Sequence, residues 1–507
     1  MSTTTDYLLG RAVDDAVAFV DGGAEHTYGE LRSDVSAWAE SLADLALPVG
    51  SPVAILAPNG LFWIAAYLAT MSLGLVCVPI AATLPAEEVT ARVRWVGARA
   101  VFLGRRFARR SAAYVPDGTP VLAEGDLAPD PHRRRPSLPP PDVDPHDDAA
   151  WLFTSGTTGR PRAVRITHRN IQANTESILT YLALRPDERT LSALPFTYVF
   201  GASLLHTHLR LGARLVNQPT FAFPESVVTR LDAEQCTGFA GVPSMFHLLL
   251  RNSSFRHRPL PALRTIQQAG GRLPPALVDE LVQAQPHARV FVMYGQTEAT
   301  ARLSYLPPEQ LATRPGSIGR GIPGVRLRVV GADGEDVAPG QIGEIFACGE
   351  NISPGYLRDD AATALKMPGG ELRSGDLATV DADGYLYVVD RNEDFIKSWG
   401  YRIASQEVEA AAMEHPGLVH AAAVGVPDDA AGERIELVVV PRPGFDVTAS
   451  EVLDLCRARL ARHMAPSAVH LVEALPLSAN GKVLKREVRS LCADLAAGLS
   501  PAPIPVH

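Results

Sequence analysis

Apolar positions along the chain fall into two alternating patterns. Helix-like segments such as YGELRSDVSAWAESLADLAL (28–47) are separated by short, β-branched runs, PVAILA, LVCVPI and RAVFLG. Over residues 1 to about 120 this alternation predicts an α/β arrangement. The stretch LFWIAAYLATMSLGLVCVPI (61–80) carries no charge and is nominally long enough to cross a bilayer. Gly74 interrupts it, Pro79 closes its β-branched end, and no Lys or Arg flanks it. It therefore predicts a buried helix of about a dozen residues followed by a buried strand, with no membrane span.

Residues 128–147, APDPHRRRPSLPPPDVDPHD, hold so much proline and charge that they predict an exposed connector. From Trp151 to about Val389 the alternation resumes, with RLVNQ, RVFVMY and EIFACG as strands and PPALVDELVQAQ as a helix. The last hundred residues carry shorter elements: strands HAAAVGVP and IELVVVP, and a helix VLDLCRARLARHM that the capping box Thr448-Ala-Ser-Glu451 opens. They predict a small α+β domain and a frayed tail, SPAPIPVH.

Size and composition narrow the function. A chain of 507 residues that is 46% hydrophobic exceeds the size at which one core keeps growing, so at least two domains are expected. With a net charge of −9 and no basic run on an aromatic platform, nucleic acid is not an expected partner. The five cysteines are scattered, without a C-x-x-C pair or a zinc-like His/Cys cluster. Together with an N-terminus that lacks a basic region followed by an apolar one, they predict reduced thiols in a cytoplasmic protein.

Candidate chemistry starts at TSGTTGRPR (154–162), directly behind the apolar AAWLF. Glycines let backbone N–H groups converge, hydroxyls add donors and arginine adds charge, a composition that suits a phosphate. The same residue types build ordinary solvated turns, so the loop by itself leaves both readings open.

Five stretches in order remove that ambiguity. TSGTTGRPR, MYGQTEAT, RSGDLATVDADGYLYVVDR, DFIKSWGYRI and PLSANGKVLKREV together resemble the motifs of the AMP-forming adenylating superfamily of acyl- and aryl-CoA synthetases, adenylation domains and luciferases. The resemblance spans essentially the whole chain. It implies an α/β fold with a large multi-sheet N-terminal domain, 1–390, that binds ATP and the acid, and a small mobile α+β lid, 391–507, hinged near Glu393. It also implies ATP, Mg²⁺ and CoA as cofactors and a small-molecule carboxylic acid as substrate.

Bringing a carboxylate to the α-phosphate of ATP joins two anions, so the site must supply cations and oriented donors. By resemblance, Thr154, Ser155, Gly156, Thr157, Thr158, Gly159 and Arg162 grip the departing pyrophosphate, and Glu298 holds Mg²⁺ while Thr297 donates to a phosphate oxygen. A Thr-Glu pair also caps helices, which is the alternative for these two. Asp376 would hold the ribose and Arg391 would make a second ribose or phosphate contact, although Gly-Asp is also ordinary turn chemistry. Tyr294 would lie along the adenine, facing Gly270 and Gly271. Lys482, at the tip of the Asn-Gly turn, would neutralise charge during adenylation, with Lys485 close by. Lys397 and Gly400 would face the pantetheine arm of CoA.

Two departures stand out. Arg162-Ala163 replaces the usual Lys-Gly of the phosphate loop, keeping the charge but restricting φ, so rate or loop mobility is expected to differ. In LPFTYVFGAS (194–203), Tyr198 stands where relatives often place His, and no acid is present to pair with an α-ammonium. Burying an unpaired ammonium is costly, which argues against an amino-acid substrate. Tyr198, Phe200, Gly201, Ala240, Gly241, Val242 and Met293 read instead as an apolar acid pocket, suited to an aryl, cinnamate-like or medium-chain acid. The expected reaction is adenylation followed by transfer to CoA. Alternatives are a ligase that loads a carrier protein, or the same fold serving another nucleophile, as in amide formation or diazotisation of an aryl amine with nitrite.

Overall fold

A computed structural model describes residues 3–126, 143–154, 162–391, 394–399, 401–428, 431–477 and 483–496. Most of the connector expected at 128–147 and all of the expected tail lie outside these residues. The chain divides into two compact units, one of Met1–Leu327 with Ala347–Arg373 and one of Arg328–Phe346 with Ser374–His507. These bounds differ from a single break at 390, because most of the antiparallel sheet of Arg326–Val330, Ile342–Cys348, Leu372–Val380 and Leu386–Arg391 groups with the smaller unit.

The larger unit holds two sheets. In the first, Val121–Ala123, Ala100–Leu103, Pro52–Leu56, Val76–Pro79 and Asp148–Thr154 run parallel in that order, and Arg162–Thr167 closes the edge as an antiparallel partner of Asp148–Thr154. The stretch weighed as a membrane span is a twelve-residue helix, Leu61–Ser72, followed by the fully buried strand Val76–Pro79. Among the described residues no helix is long and apolar enough to cross a membrane. Trp63 of that helix is fully buried against Tyr67 and Phe196, at ring-centroid distances of 5.0 and 5.4 Å.

The second sheet has nine strands. At its centre Arg289–Tyr294, Thr265–Gln268, Gly238–Gly241, Arg189–Ser192 and Arg214–Asn217 lie side by side and parallel. Their near-continuous burial is what a sheet covered on both faces requires. At Gly238 an added Cβ would lie 2.4 Å from Thr190 Oγ1 on the neighbouring strand, so the sheet's interior tolerates only glycine there.

In the smaller unit, Gly432–Pro441 pairs antiparallel with Leu418–Asp428 and parallel with Ala468–Leu471. Thr448 and Glu451 form the expected capping box. The helix they open ends at Arg459, short of the expected Met464. Leu460 turns extended (φ −108°, ψ 155°) and packs on the unit's apolar core, and Arg462–Met464 form a separate 3₁₀ turn.

Candidate active site

Parallel strands leave their C-terminal ends on one edge, where open α/β sheets bind ligands. Here that edge gathers residues a hundred positions apart. Tyr198 and Phe200 follow Arg189–Ser192; Ala240, Gly241 and Val242 end Gly238–Gly241; Gly270 and Gly271 follow Thr265–Gln268; Met293, Tyr294, Thr297 and Glu298 end and follow Arg289–Tyr294. Close approach dictates the small residues. A Cβ on Gly201 would sit 2.2 Å from the Pro195 carbonyl oxygen, and one on Gly271 3.3 Å from Pro243 Cγ. Gly270 takes φ +88°, while Gln268 Nε2 donates to the Gly271 carbonyl at 2.7 Å. Phe200 is half-buried at the margin of two apolar clusters, and Tyr198 at the start of helix Val199–Leu211 has its phenol pushed up by burial.

The expected phosphate loop connects two paired strands, with Thr154 opposite Arg162 in register. Ser155, Gly156, Thr157, Thr158 and Gly159 lie outside the described residues. Ala163, expected to alter loop mobility, belongs to the strand rather than the loop. It is fully buried and pairs with Phe153.

Arg162 and Glu298 meet through a residue that sequence reasoning missed. Tyr356 Oη donates to Glu298 Oε1 at 2.6 Å, and the Arg162 guanidinium carbon lies 5.4 Å from the centre of the Tyr356 ring. Burial first, then the Glu298 charge, pushes the Tyr356 phenol far up, so it stays a donor. Asp359, three residues on, pairs with Arg162 Nε at 3.3 Å and also caps helix Asp360–Lys366 through Ala362 N–H. In SPGYLRDD nothing marks either residue; the only available signal is an acid ahead of a helix. Thr297 and Glu298 cap no helix: they sit in a 3₁₀ turn whose N-cap, Gln296, makes no side-chain cap.

The chain then bends sharply. Thr300 and Ala301 take φ of +58° and +141°, and a Cβ on Gly295 would lie 1.8 Å from the Ala301 carbonyl oxygen. Strained positions of this kind cluster at functional sites. Arg302 follows, 1% exposed, with its guanidinium carbon 4.2 Å from the centre of the Phe200 ring. Its backbone carbonyl accepts from Asn174 Nδ2 (3.3 Å) and Asn351 Nδ2 (2.9 Å). Sequence analysis passed over Arg302, because an arginine beside TEAT reads as surface until its burial is known.

In the smaller unit, Asp376 is buried within strand Leu372–Val380, directly opposite Arg391 of Leu386–Arg391, so Gly375-Asp376 is not a turn. Nothing is described of the Arg391 side chain. Lys397 lies exposed on strand Ile396–Ser398, its N–H bonded to Glu433 Oε2 at 2.6 Å, and Trp399 follows at φ +53°, 64% exposed. Gly400, Glu393 and Lys482 lie outside the described residues. Lys485 is taken: its ammonium pairs with Glu409 at 2.9 Å and donates to Ser405 Oγ, whose hydroxyl donates to Asp390 Oδ2 at 2.8 Å.

For a divalent metal, Glu298 offers a hard carboxylate oxygen, Oε2, since only Oε1 takes the Tyr356 hydrogen bond among the described residues. Glu436, His470 and Cys492 also cluster in the smaller unit, but Arg434 already pairs with Glu436 at 2.6 Å. The cysteines are unpaired, with Cys77, Cys236, Cys456 and Cys492 buried and Cys348 exposed.

A multi-sheet α/β unit with a hairpin-borne arginine, an acid at a parallel-strand edge and a separate α+β unit defines a nucleotide-dependent, acid-activating class of enzyme. The pattern of the AMP-binding enzyme family matches residues 10–357, and that of the AMP-binding enzyme C-terminal domain matches 407–482. The chain is 34% identical over 485 residues to a feruloyl-CoA synthase of an Amycolatopsis species, covering 94% of this chain and 96% of that one. Its fold matches ATP-bound MatB from Rhodopseudomonas palustris with a TM-score of 0.88 at 26% identity, over 97% and 99% of the two chains. The amide bond synthetase McbA from Marinactinospora thermotolerans matches with a TM-score of 0.85 at 26% identity, over 96% and 99%. This chain therefore belongs to the AMP-binding enzyme family and is an AMP-forming enzyme of the acid–CoA ligase type.

Proposed function

We propose that the protein converts an aryl, cinnamate-like or medium-chain carboxylic acid to its acyl-adenylate and then to its CoA thioester. The observation that carries this reading is Tyr356, which joins the carboxylate of Glu298 to the cation of Arg162. The acid's carboxylate oxygen attacks the α-phosphorus of ATP, the bond to the β-phosphate oxygen breaks, and pyrophosphate leaves with the electron pair. Arg162 and the hydroxyls of the loop that starts at Thr154 stabilise that departing charge, which is greater in the transition state than in bound ATP. Glu298, oriented by the Tyr356 hydroxyl, would hold Mg²⁺, which supplies charge neutralisation at the phosphates when bound. Tyr294 with Gly270 and Gly271 would take the adenine, and Asp376 with Arg391 the ribose.

Lys482 would serve the first half-reaction. In the second, the CoA thiolate attacks the acyl carbonyl and AMP leaves, with Lys397 and Gly400 beside the pantetheine arm. Exchange of the two roles requires the lid, 391–507, to turn about Glu393. Five unpaired cysteines suit a cytoplasmic site of action. The likeness to an amide bond synthetase supports a second reading in which an amine replaces CoA.

Acid-dependent exchange of labelled pyrophosphate into ATP tests the first step. Glu298→Ala and Arg162→Ala should each lower it by about 100- to 1,000-fold in folded protein. Wild-type rates in both variants would overturn the assignment. Comparing CoA, a carrier protein and simple amines as acceptors of the formed adenylate distinguishes the second steps.

A further inference from the structure

Arg302 ranks with Trp63 among the largest fully buried side chains of the larger unit. Its burial lacks the usual compensation. Among the described residues neither Nε nor Nη2 has a hydrogen-bond partner, and no carboxylate acts on the guanidinium. Its polar neighbour is the Tyr181 hydroxyl, itself donated to Met293 Sδ at 3.0 Å, and the face of Phe200 covers the cation. A ring face softens a cation without neutralising it. Burying a charge without a counter-charge is strongly unfavourable, so the fold keeps this one at a cost that packing does not return.

The pattern of open groups is specific. Nε and Nη2 share one edge of the guanidinium and present two parallel N–H bonds, the fork that a carboxylate's two oxygens accept. We infer that Arg302 is the specificity-determining residue of the acid pocket and selects acids that carry a second carboxylate at the end remote from the reacting one. This rests on the reading above in which Phe200 and Met293 line that pocket.

The reacting carboxylate is the poorer candidate for the fork. It must reach the α-phosphate near the Glu298–Tyr356–Arg162 cluster, which has its own cation. Holding both of its oxygens on a buried fork would also stabilise the ground state of the nucleophile and slow the attack. Tyr181 and Phe200, which face Arg302, belong to one apolar cluster with Phe291, Met293 and Ile322. A second carboxylate presented there meets the only compensation the site lacks, while an apolar acid end leaves the cation buried and alone.

The test uses the full-length enzyme in pyrophosphate exchange with linear and aryl diacids of increasing length, each against the monoacid of the same skeleton: suberate against octanoate, 4-carboxycinnamate against cinnamate. At least one diacid should exceed its monoacid in kcat/KM by about 100-fold. Arg302→Met should erase that preference, lowering kcat/KM for the diacid far more than for the monoacid. Arg302→Lys, which keeps charge but not the fork, should fall between. Without ATP, the preferred diacid should raise the Tm of the wild type and not of Arg302→Met. A wild type that prefers monoacids throughout overturns the role of Arg302 and leaves the adenylation reading standing; this arm needs no variant. Equal loss on diacid and monoacid in both variants, with normal ATP binding, also overturns it, since that is what a purely structural arginine would give. Absence of exchange with every acid overturns both readings together.

Discussion

Two cations largely shielded from water, one half-buried and one fully buried, are handled in opposite ways in this chain. Lys485, in the smaller unit, has Glu409 at 2.9 Å and the hydroxyl of Ser405, behind which stands Asp390. Arg302, in the larger unit, is more deeply buried and has no acid beside it among the described residues. A cation that finds its counter-charge within its own fold is part of the fold's architecture. One that does not must be completed from outside, or it is only a liability. The contrast also bears on the choice between Lys482 and Lys485, since Lys485 is committed to an internal partner and unavailable to a phosphate.

Breaking the paired side should have the largest effect. Lys485→Met leaves the largely buried Glu409 with only the Ala423 N–H and should destabilise the smaller unit by about 3 kcal/mol, read from denaturant unfolding. Arg302→Met should cost at most about 1 kcal/mol or stabilise, because it removes an uncompensated charge. Equal losses in the two variants would erase the comparison. The pH dependence sharpens it. Burial holds Glu409 above the ordinary carboxylate range, and Lys485 and the Ala423 N–H pull it back down. A carboxyl whose folded pKa is raised binds its proton more tightly when folded, so its contribution to stability falls as pH rises from the unfolded value through the folded one. Without Lys485 the folded value moves further up. The deficit of Lys485→Met should therefore shrink on going from about pH 7.5 to about pH 5, and adding Glu409→Gln should close most of it.

Between the extremes lies Arg162, a third exposed, with Asp359 and the Tyr356 ring as partners. Tyr356→Phe keeps the ring under the cation but removes the donor to Glu298. A hydrogen bond to a charged group is worth about 1.5–3 kcal/mol, so exchange should drop about 10- to 100-fold with the fold intact. An unchanged rate would mean that Glu298 needs no orienting partner. Asp359→Asn should have the smallest effect. Asparagine still caps helix Asp360–Lys366, so stability should stay within about 1 kcal/mol. Removing a carboxylate that competes with phosphate for Arg162 should lower the KM for ATP a few-fold, and a raised KM would show that Asp359 positions the arginine.

Much of this was legible in the sequence where a local rule decides. The uncharged stretch at 61–80 resolved into helix and strand because Gly74 and Pro79 act within a few residues of themselves. The Thr448 capping box is a four-residue interaction. The motif residues of the parallel-strand edge were found one by one, but their gathering depends on strand order, which periodicity does not encode. Tyr356, Asp359 and Arg302 were missed for the same physical reason. Each owes its role to a contact across 58 or more positions of chain or to a degree of burial, as in Tyr356 on Glu298 and Asp359 on Arg162. That Ala163 lies in a strand was not legible, because the paired register of Thr154 and Arg162 that places it there belongs to the sheet and not to the loop motif.

The two asparagine amides that hold the Arg302 carbonyl grip main chain only. With Gly295 packed against the Ala301 carbonyl, they fix the path of residues 300–302 whatever side chain residue 302 carries. Fold and side-chain identity are thereby uncoupled at this one position. On the proposed role of Arg302, a single codon change there exchanges charge, length or polarity beside the acid while the backbone keeps anchors that do not involve the side chain, so substrate range can shift in one mutational step.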